Sequence, residues 1–215
     1  MRPTAGEVSF PRRAALQLLP ALAAVTLPSQ SVAIVTDPFS GGPGKARYIL
    51  MRPGETSFEA ASMVDSNPIN KQQSERGLTA RGRAQVTRSI EALTQMGITS
   101  PQIFYDSGVR ATETAEMIAV GLGTPRKDVE PEFRWLEARG LGALDGTDLG
   151  EATKRLRTMD ALDIDNSPET TDDGTPSDSI NEVYSRLRNT VLKIENTYGG
   201  GKYVFQVSAQ PILHR

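Results

Sequence analysis

A layered α/β domain with at least partly parallel strand pairing is the fold class this sequence predicts, and three observations carry the prediction. Short runs at Arg47 to Met51, Gln102 to Tyr105 and Tyr203 to Val207 are dense in Tyr, Ile, Phe and Val, as buried strands are. Longer segments between them repeat apolar residues at three- and four-residue spacing, the period of a helix with one buried face. Strands and helices therefore alternate, the order that lays helices over a parallel sheet.

The first run is closed by Pro53-Gly54, which reads as a strand ending in a loop. Thr79 to Met96 follows as a helix with Val86, Ile90, Leu93 and Met96 on one face and Gly97 at its end. After the second run, Ala111 to Val120 predicts another helix, stopped by Gly121. Asn166 to Asp178, rich in Asp, Thr, Ser, Pro and Gly, predicts an exposed loop. Ser179 then opens a helix, with Glu182 completing a capping box and Ile180, Val183, Leu187, Val191 and Ile194 forming its apolar face. Gly199-Gly200-Gly201 ends it ahead of the third run, and no internal repeat is present.

Composition narrows the function. The 215 residues, 38% of them apolar, suit one domain with a short extension. With 24 basic and 26 acidic side chains the net charge is −2, which leaves no electrostatic footprint for nucleic acid, and none is expected as a partner. The lack of cysteine excludes thiolate catalysis and cysteine-ligated metal. One histidine, His214, excludes any chemistry that needs two imidazoles from one chain. No metal and no cofactor is expected.

Residues 1–33 differ from the rest. Arg12-Arg13 precede an apolar stretch from Ala14 to Leu27 and a small-x-small pattern at Ser31-Val32-Ala33, the layout of a cleaved targeting segment. The stretch of about 14 residues is shorter than the roughly 20 of a spanning helix. Paired arginines resemble a twin-arginine signal, which serves bacterial export and import into the thylakoid lumen of plastids. A retained anchor and a plain amino-terminal helix remain as alternatives. The expected location is the lumen, or else the bacterial periplasm, with residues 34–46 as a linker and 47–215 as the domain.

In such sheets ligands bind beyond the carboxyl ends of the strands. Those positions hold Arg52-Pro53-Gly54-Glu55-Thr56, then Ser107 with Arg110-Ala111 and Thr114-Ala115, then Ser208-Ala209. Leu78-Thr79 with Gly82 and Gln85, Leu136-Glu137 with Arg139-Gly140, Leu144 and Gly146, and Asp178-Ser179-Ile180 with Val183 and Arg186 lie among them. In this order and spacing the set resembles the histidine phosphatase (phosphoglycerate mutase-like) superfamily, over most of the chain from Arg47 to Ser208. The resemblance implies a three-layer α/β/α domain with a mostly parallel central sheet. Family members usually continue through another helix and often a strand past the point corresponding to Arg215, so the expectation is either an incomplete sequence or a domain truncated by its C-terminal layer. If that layer is absent, the sheet near Tyr203 to Val207 would call for a covering partner.

Within the resemblance, Pro53 and Ala209 stand where the family has its two catalytic histidines. One histidine attacks phosphorus and the other stabilises the transferred charge, with arginines on the oxygens and a glutamate as acid. Proline offers a delocalised amide nitrogen and no side-chain nucleophile, and alanine offers no hydrogen bond. Loss of such a nucleophile removes on the order of 10⁶ in rate where groups act as a unit. No catalytic residue is therefore expected, and a pseudoenzyme is. Glu137 remains at the acid position, and Arg52 and Arg110 could fork onto phosphate. Glu59 stands where mutase relatives often carry a phosphate-contacting asparagine, so its carboxylate would repel an anion.

The arginines thus have two readings: a relic anion pocket, or ion pairs with Glu55, Glu59 or Glu137. His214, five residues past Ala209, reads as an exposed residue and not as a displaced nucleophile. Three functions follow. The first is a structural or binding subunit with protein partners, of which a membrane photosynthetic complex is the class suggested by location. The second is a phosphometabolite-binding module using Arg52 and Arg110. The third, least favoured, is a residual phosphatase with Glu137 or Asp106 as base.

Overall fold

A computed structural model describes residues 32–36, 47–132, 135–198 and 203–207. It holds a five-stranded sheet in the order β1-β2-β5-β3-β4, formed by Val32–Thr36, Arg47–Met51, Tyr203–Val207, Gln102–Tyr105 and Val129–Pro131. β2, β5, β3 and β4 run parallel, and β1 alone is antiparallel, on β2. The three strands expected from composition occupy their expected residues. β4 and β1 are additional: β4 is three residues long and carries Pro131, and β1 crosses the expected boundary between targeting segment and linker.

Alternate residues of the strands feed two cores. Ile49, Met51, Ile103 and Tyr105 point to α2 (Ala80–Gln95) and α3 (Val109–Leu122), where they join Val86, Leu93, Ala115 and Ile118 in one buried cluster. Tyr48 and Phe104, of the opposite parity, point to α5 (Ile180–Tyr198) and meet Leu136, Val191 and Ile194. Helices on both faces of a mostly parallel sheet make three layers. A satellite cluster of Val64, Leu141, Ala152 and Leu156 seats α4 (Leu149–Leu162), a helix the periodicity does not announce.

Helix ends follow local chemistry. Thr79 caps α2 by accepting from the Gly82 amide at 2.9 Å, and Gly97 follows with φ of +75°. Ser179 and Glu182 form the expected capping box: the Ser179 amide donates to Glu182 Oε2 at 2.7 Å and the Glu182 amide to Ser179 Oγ at 3.2 Å. The expected stop at Gly121 is corrected. α3 runs through it to a left-handed Gly123, because Gly121 is spacing and not punctuation: a Cβ there would stand 2.5 Å from Ile90 Cγ2 of α2. The expected loop from Asn166 to Asp178 contains no helix or strand. Gly199-Gly200-Gly201 lie outside the described residues.

Candidate functional site

The loop leaving β2 is built on α2 and α3. Gly54 donates its amide to Thr114 Oγ1 at 3.2 Å, and Glu55 donates its amide to Gln85 Oε1 at 2.9 Å. Gly54 and Gly82 meet backbone to backbone: a Cβ on Gly54 would come within 2.5 Å of the Gly82 carbonyl oxygen, and one on Gly82 within 2.2 Å of that of Glu55. The Leu78-Thr79-x-x-Gly82-x-x-Gln85 signpost is thus the buttress that aims this loop. Pro53 is buried within it, between Arg52 and Gly54. Thr56 caps α1 (Ser57–Ala60), a single turn in which Glu59 is the reciprocal partner.

Glu59 does two jobs. Its Oε2 accepts from the Thr56 amide at 3.2 Å, while Oε1 accepts from Arg52 Nη2 at 3.0 Å. Arg52 is therefore engaged by a carboxylate of its own loop, one of the three named from the sequence. Glu55 instead pairs with Arg81 at 3.2 Å and accepts from Thr79 Oγ1 at 3.1 Å.

Arg110, at the start of α3, departs from the expected pairing and takes neither Glu55, Glu59 nor Glu137. Its Nη1 lies 3.7 Å from Asp65 Oδ2, and its Nη2 donates to the Asp65 carbonyl at 3.3 Å. Asp65 is nearly buried and also holds Arg76, whose guanidinium lies 4.2 Å above the Phe58 ring. Burial lowers the Arg76 pKa; Asp145 opposes that shift and nearby Arg110 adds to it. Arg76 Nε is buried with no hydrogen-bond partner among the described residues. Asp65 and Arg76 belong to no motif in the sequence, and no local pattern marks them.

Glu137 is paired with Lys71. Asp106, buried at the end of β3, accepts from the Gly108 amide at 2.6 Å. Lys71, Arg76 and Arg110 share one cleft with Asp65, Asp106 and Glu137, an equal number of formal positive and negative charges. A phosphate entering this cleft would therefore compete with carboxylates for the guanidinium and ammonium groups. Arg52, Pro53, Arg110 and Glu137 are all placed at the carboxyl end of the sheet. Ser208, Ala209 and His214 lie outside the described residues.

Arg139 is part of the scaffold beneath this end. It forks onto Asp160 at 2.7 and 2.8 Å and donates Nε to the Asp178 carbonyl at 2.9 Å. Asp178 Oδ2 accepts from the Gly140 amide at 2.7 Å and from Arg186 at 2.8 Å, and Arg186 Nη1 reaches the Glu137 carbonyl at 3.2 Å. The segment bearing Glu137 is thereby pinned to α4 and α5. Among the described residues no group of His, Cys, Asp and Glu is arranged to hold a metal ion.

A family model, that of the histidine phosphatase superfamily (branch 1), matches residues 48–213. Among solved structures, a mycobacterial glucosyl-3-phosphoglycerate phosphatase complexed with VO3 is 21% identical, with a TM-score of 0.56 over 74% of this chain and 72% of that one. YhfR of Bacillus stearothermophilus is 21% identical, with a TM-score of 0.53 over 76% and 73%. A putative alpha-ribazole-5'-P phosphatase of Escherichia coli is 17% identical, with a TM-score of 0.51 over 75% and 72%. At these identities the likeness is one of fold. No curated protein sequence matches.

Proposed function

We propose a non-catalytic role for this chain, which belongs to the histidine phosphatase superfamily: a structural or binding subunit that uses the fold as a rigid surface. The observation that carries this reading is Pro53, buried in the loop after β2, which the motif resemblance aligns with the family's nucleophile. A phosphoryl group has nothing there to bond to, since a proline nitrogen in a peptide lacks a free lone pair. Ala209, at the second histidine position, lacks a donor as well, and the only histidine of the sequence is His214.

The charges support the same reading. Catalysis of phosphoryl transfer is positioning plus positive charge around the equatorial oxygens. Here Arg52 pairs with Glu59 and Arg110 shares Asp65 with Arg76, while Glu137 pairs with Lys71. An anion-binding module would have to displace those carboxylates. A residual hydrolase using Glu137 or Asp106 would need a base that is now holding Lys71 or the Gly108 amide. With residues 1–33 read as a targeting segment, the partner proposed is a protein complex of the thylakoid lumen or another exported compartment.

A panel of phosphomonoesters tests the reading. The unmodified chain should give no turnover above a mock purification, and isolation of the tagged protein from native membranes should recover it within a larger particle. Turnover that is lost in Glu137→Gln would refute the non-catalytic reading, and recovery of free monomer alone would refute the subunit role.

A further inference from the structure

β1 is the outermost strand, and its antiparallel register sets Val32 opposite Met51, Ala33 opposite Leu50 and Ile34 opposite Ile49. The strand therefore begins at the carboxyl end of β2, next to the residue that precedes Arg52. The Ser31-Val32-Ala33 pattern places its scissile bond between Ala33 and Ile34, inside this strand. We propose that the Ala33–Ile34 peptide bond is a maturation site whose hydrolysis removes the first two residues of β1 and opens the edge of β2 beside the Arg52 loop. The inference rests on the targeting reading of residues 1–33, and it is independent of whether the site turns over phosphate.

The architecture permits the cut. Among the described residues β1 packs on β2 and makes no comparable contact with any helix. A short strand held from one side opens at a lower free energy than the layers beneath it, so a peptidase can draw it out as an extended segment. Water adds to the Ala33 carbonyl carbon and the C–N bond breaks. Ala33 leaves as the carboxylate of the leader, and Ile34 keeps the nitrogen as a new α-amino group, an ammonium below a pKa of about 7.7–8.0. β1 is then Ile34–Thr36, and the stretch opposite Leu50 and Met51 is vacated. Successive amides of a strand point to opposite neighbours, so one of the Leu50 and Met51 amides faces β1 and the other β5.

The test has two readouts on the full chain. Produced in a bacterial host with a twin-arginine export route, the exported protein should have the intact mass of Ile34–Arg215. Ala33→Leu, which suits a strand but is too large for the position before the cut, should abolish that product. Hydrogen exchange should then show the β1-facing amide of the Leu50–Met51 pair exchanging about tenfold faster or more in the processed form than in full-length protein. Amides of Ile103 to Tyr105 in β3 serve as the unchanged reference. Export with cleavage at a different bond overturns the proposal and leaves the targeting reading standing; a chain that is never exported overturns both. Equal protection of that amide in the two forms overturns the opening of the β2 edge.

Discussion

Gly54 and Gly82 touch through their backbones, and neither position has room for a Cβ. Relief would require the loop after β2 to lift off α2, because the obstructing atoms are main-chain carbonyls and not rotatable side chains. Gly82→Ala is expected to lower stability by about 2 kcal/mol in urea unfolding, despite the helix propensity that alanine adds. Gly121→Ala should cost less, since its obstruction is the Ile90 side chain. A Gly82→Ala protein as stable as the parent would show that the two backbones are not in contact.

Arg139 is buried and forked onto Asp160. Removing one partner leaves the other charge desolvated, so Arg139→Met should destabilise the domain by about 3 kcal/mol. The double variant Arg139→Met, Asp160→Leu should recover a large part of that loss. Additive effects of the two substitutions in a double-mutant cycle would deny the coupling.

Glu59 acts as an internal anion for Arg52, whose side chain is 40% exposed, so their attraction is a screened, surface-strength one. Glu59→Gln keeps an oxygen for the Thr56 amide and frees the guanidinium. Calorimetric titration with inorganic phosphate should show affinity rising roughly threefold over the parent chain, equivalent to about 0.7 kcal/mol. A further Arg52→Ala substitution should remove the gain. Unchanged binding in Glu59→Gln would mean that this carboxylate does not guard the arginine.

Two groups give the stability a pH dependence of opposite sense. The Thr171 hydroxyl and the Thr175 amide hold the exposed Asp173 carboxyl down to about 2. Its contribution is present above the ordinary carboxylate range and is lost as pH falls toward that value. NMR titration should place its midpoint near 2, and Thr171→Val should raise it. Burial, reinforced by Glu130, raises the Tyr198 phenol above its usual value. Its contribution is complete below about pH 10 and fades as pH climbs through the raised value. Tyr198→Phe should therefore flatten the alkaline limb of a stability profile, and an unchanged limb would remove Tyr198 as its source.

The sheet is legible in the sequence because β2, β3 and β5 are dense in strand-forming residues and bounded by turn residues. α4 escapes the same reading because only Ala152 and Leu156 of its residues are buried, too few for a periodic stripe. Its Asp148 cap, accepting from the Glu151 amide at 2.9 Å, is the local signal that could have found it. Arg52 and Glu59 are seven positions apart, on a loop and the helical turn that follows it, and their pairing follows from a short chain segment. Arg110 and Asp65 are 45 positions apart and are joined by the packing of the start of α3 on the segment that holds Asp65, which no spacing rule encodes. Arg139 shows a third case: its motif is visible, but its role as a clamp on Asp160 becomes apparent only when α4 is in place.

β5 lies between β2 and β3, yet it follows both in the chain, as the last of the described strands. Nascent protein therefore carries two open, strongly apolar edges with a gap between them until Tyr203 to Val207 has been synthesised. Closure of the sheet thus waits on Tyr203 to Val207, and folding is dominated by contacts between distant segments and correspondingly slow. Prematurely terminated products lacking that last insertion would be sticky fragments, prone to aggregate and not to persist as smaller working versions of the fold.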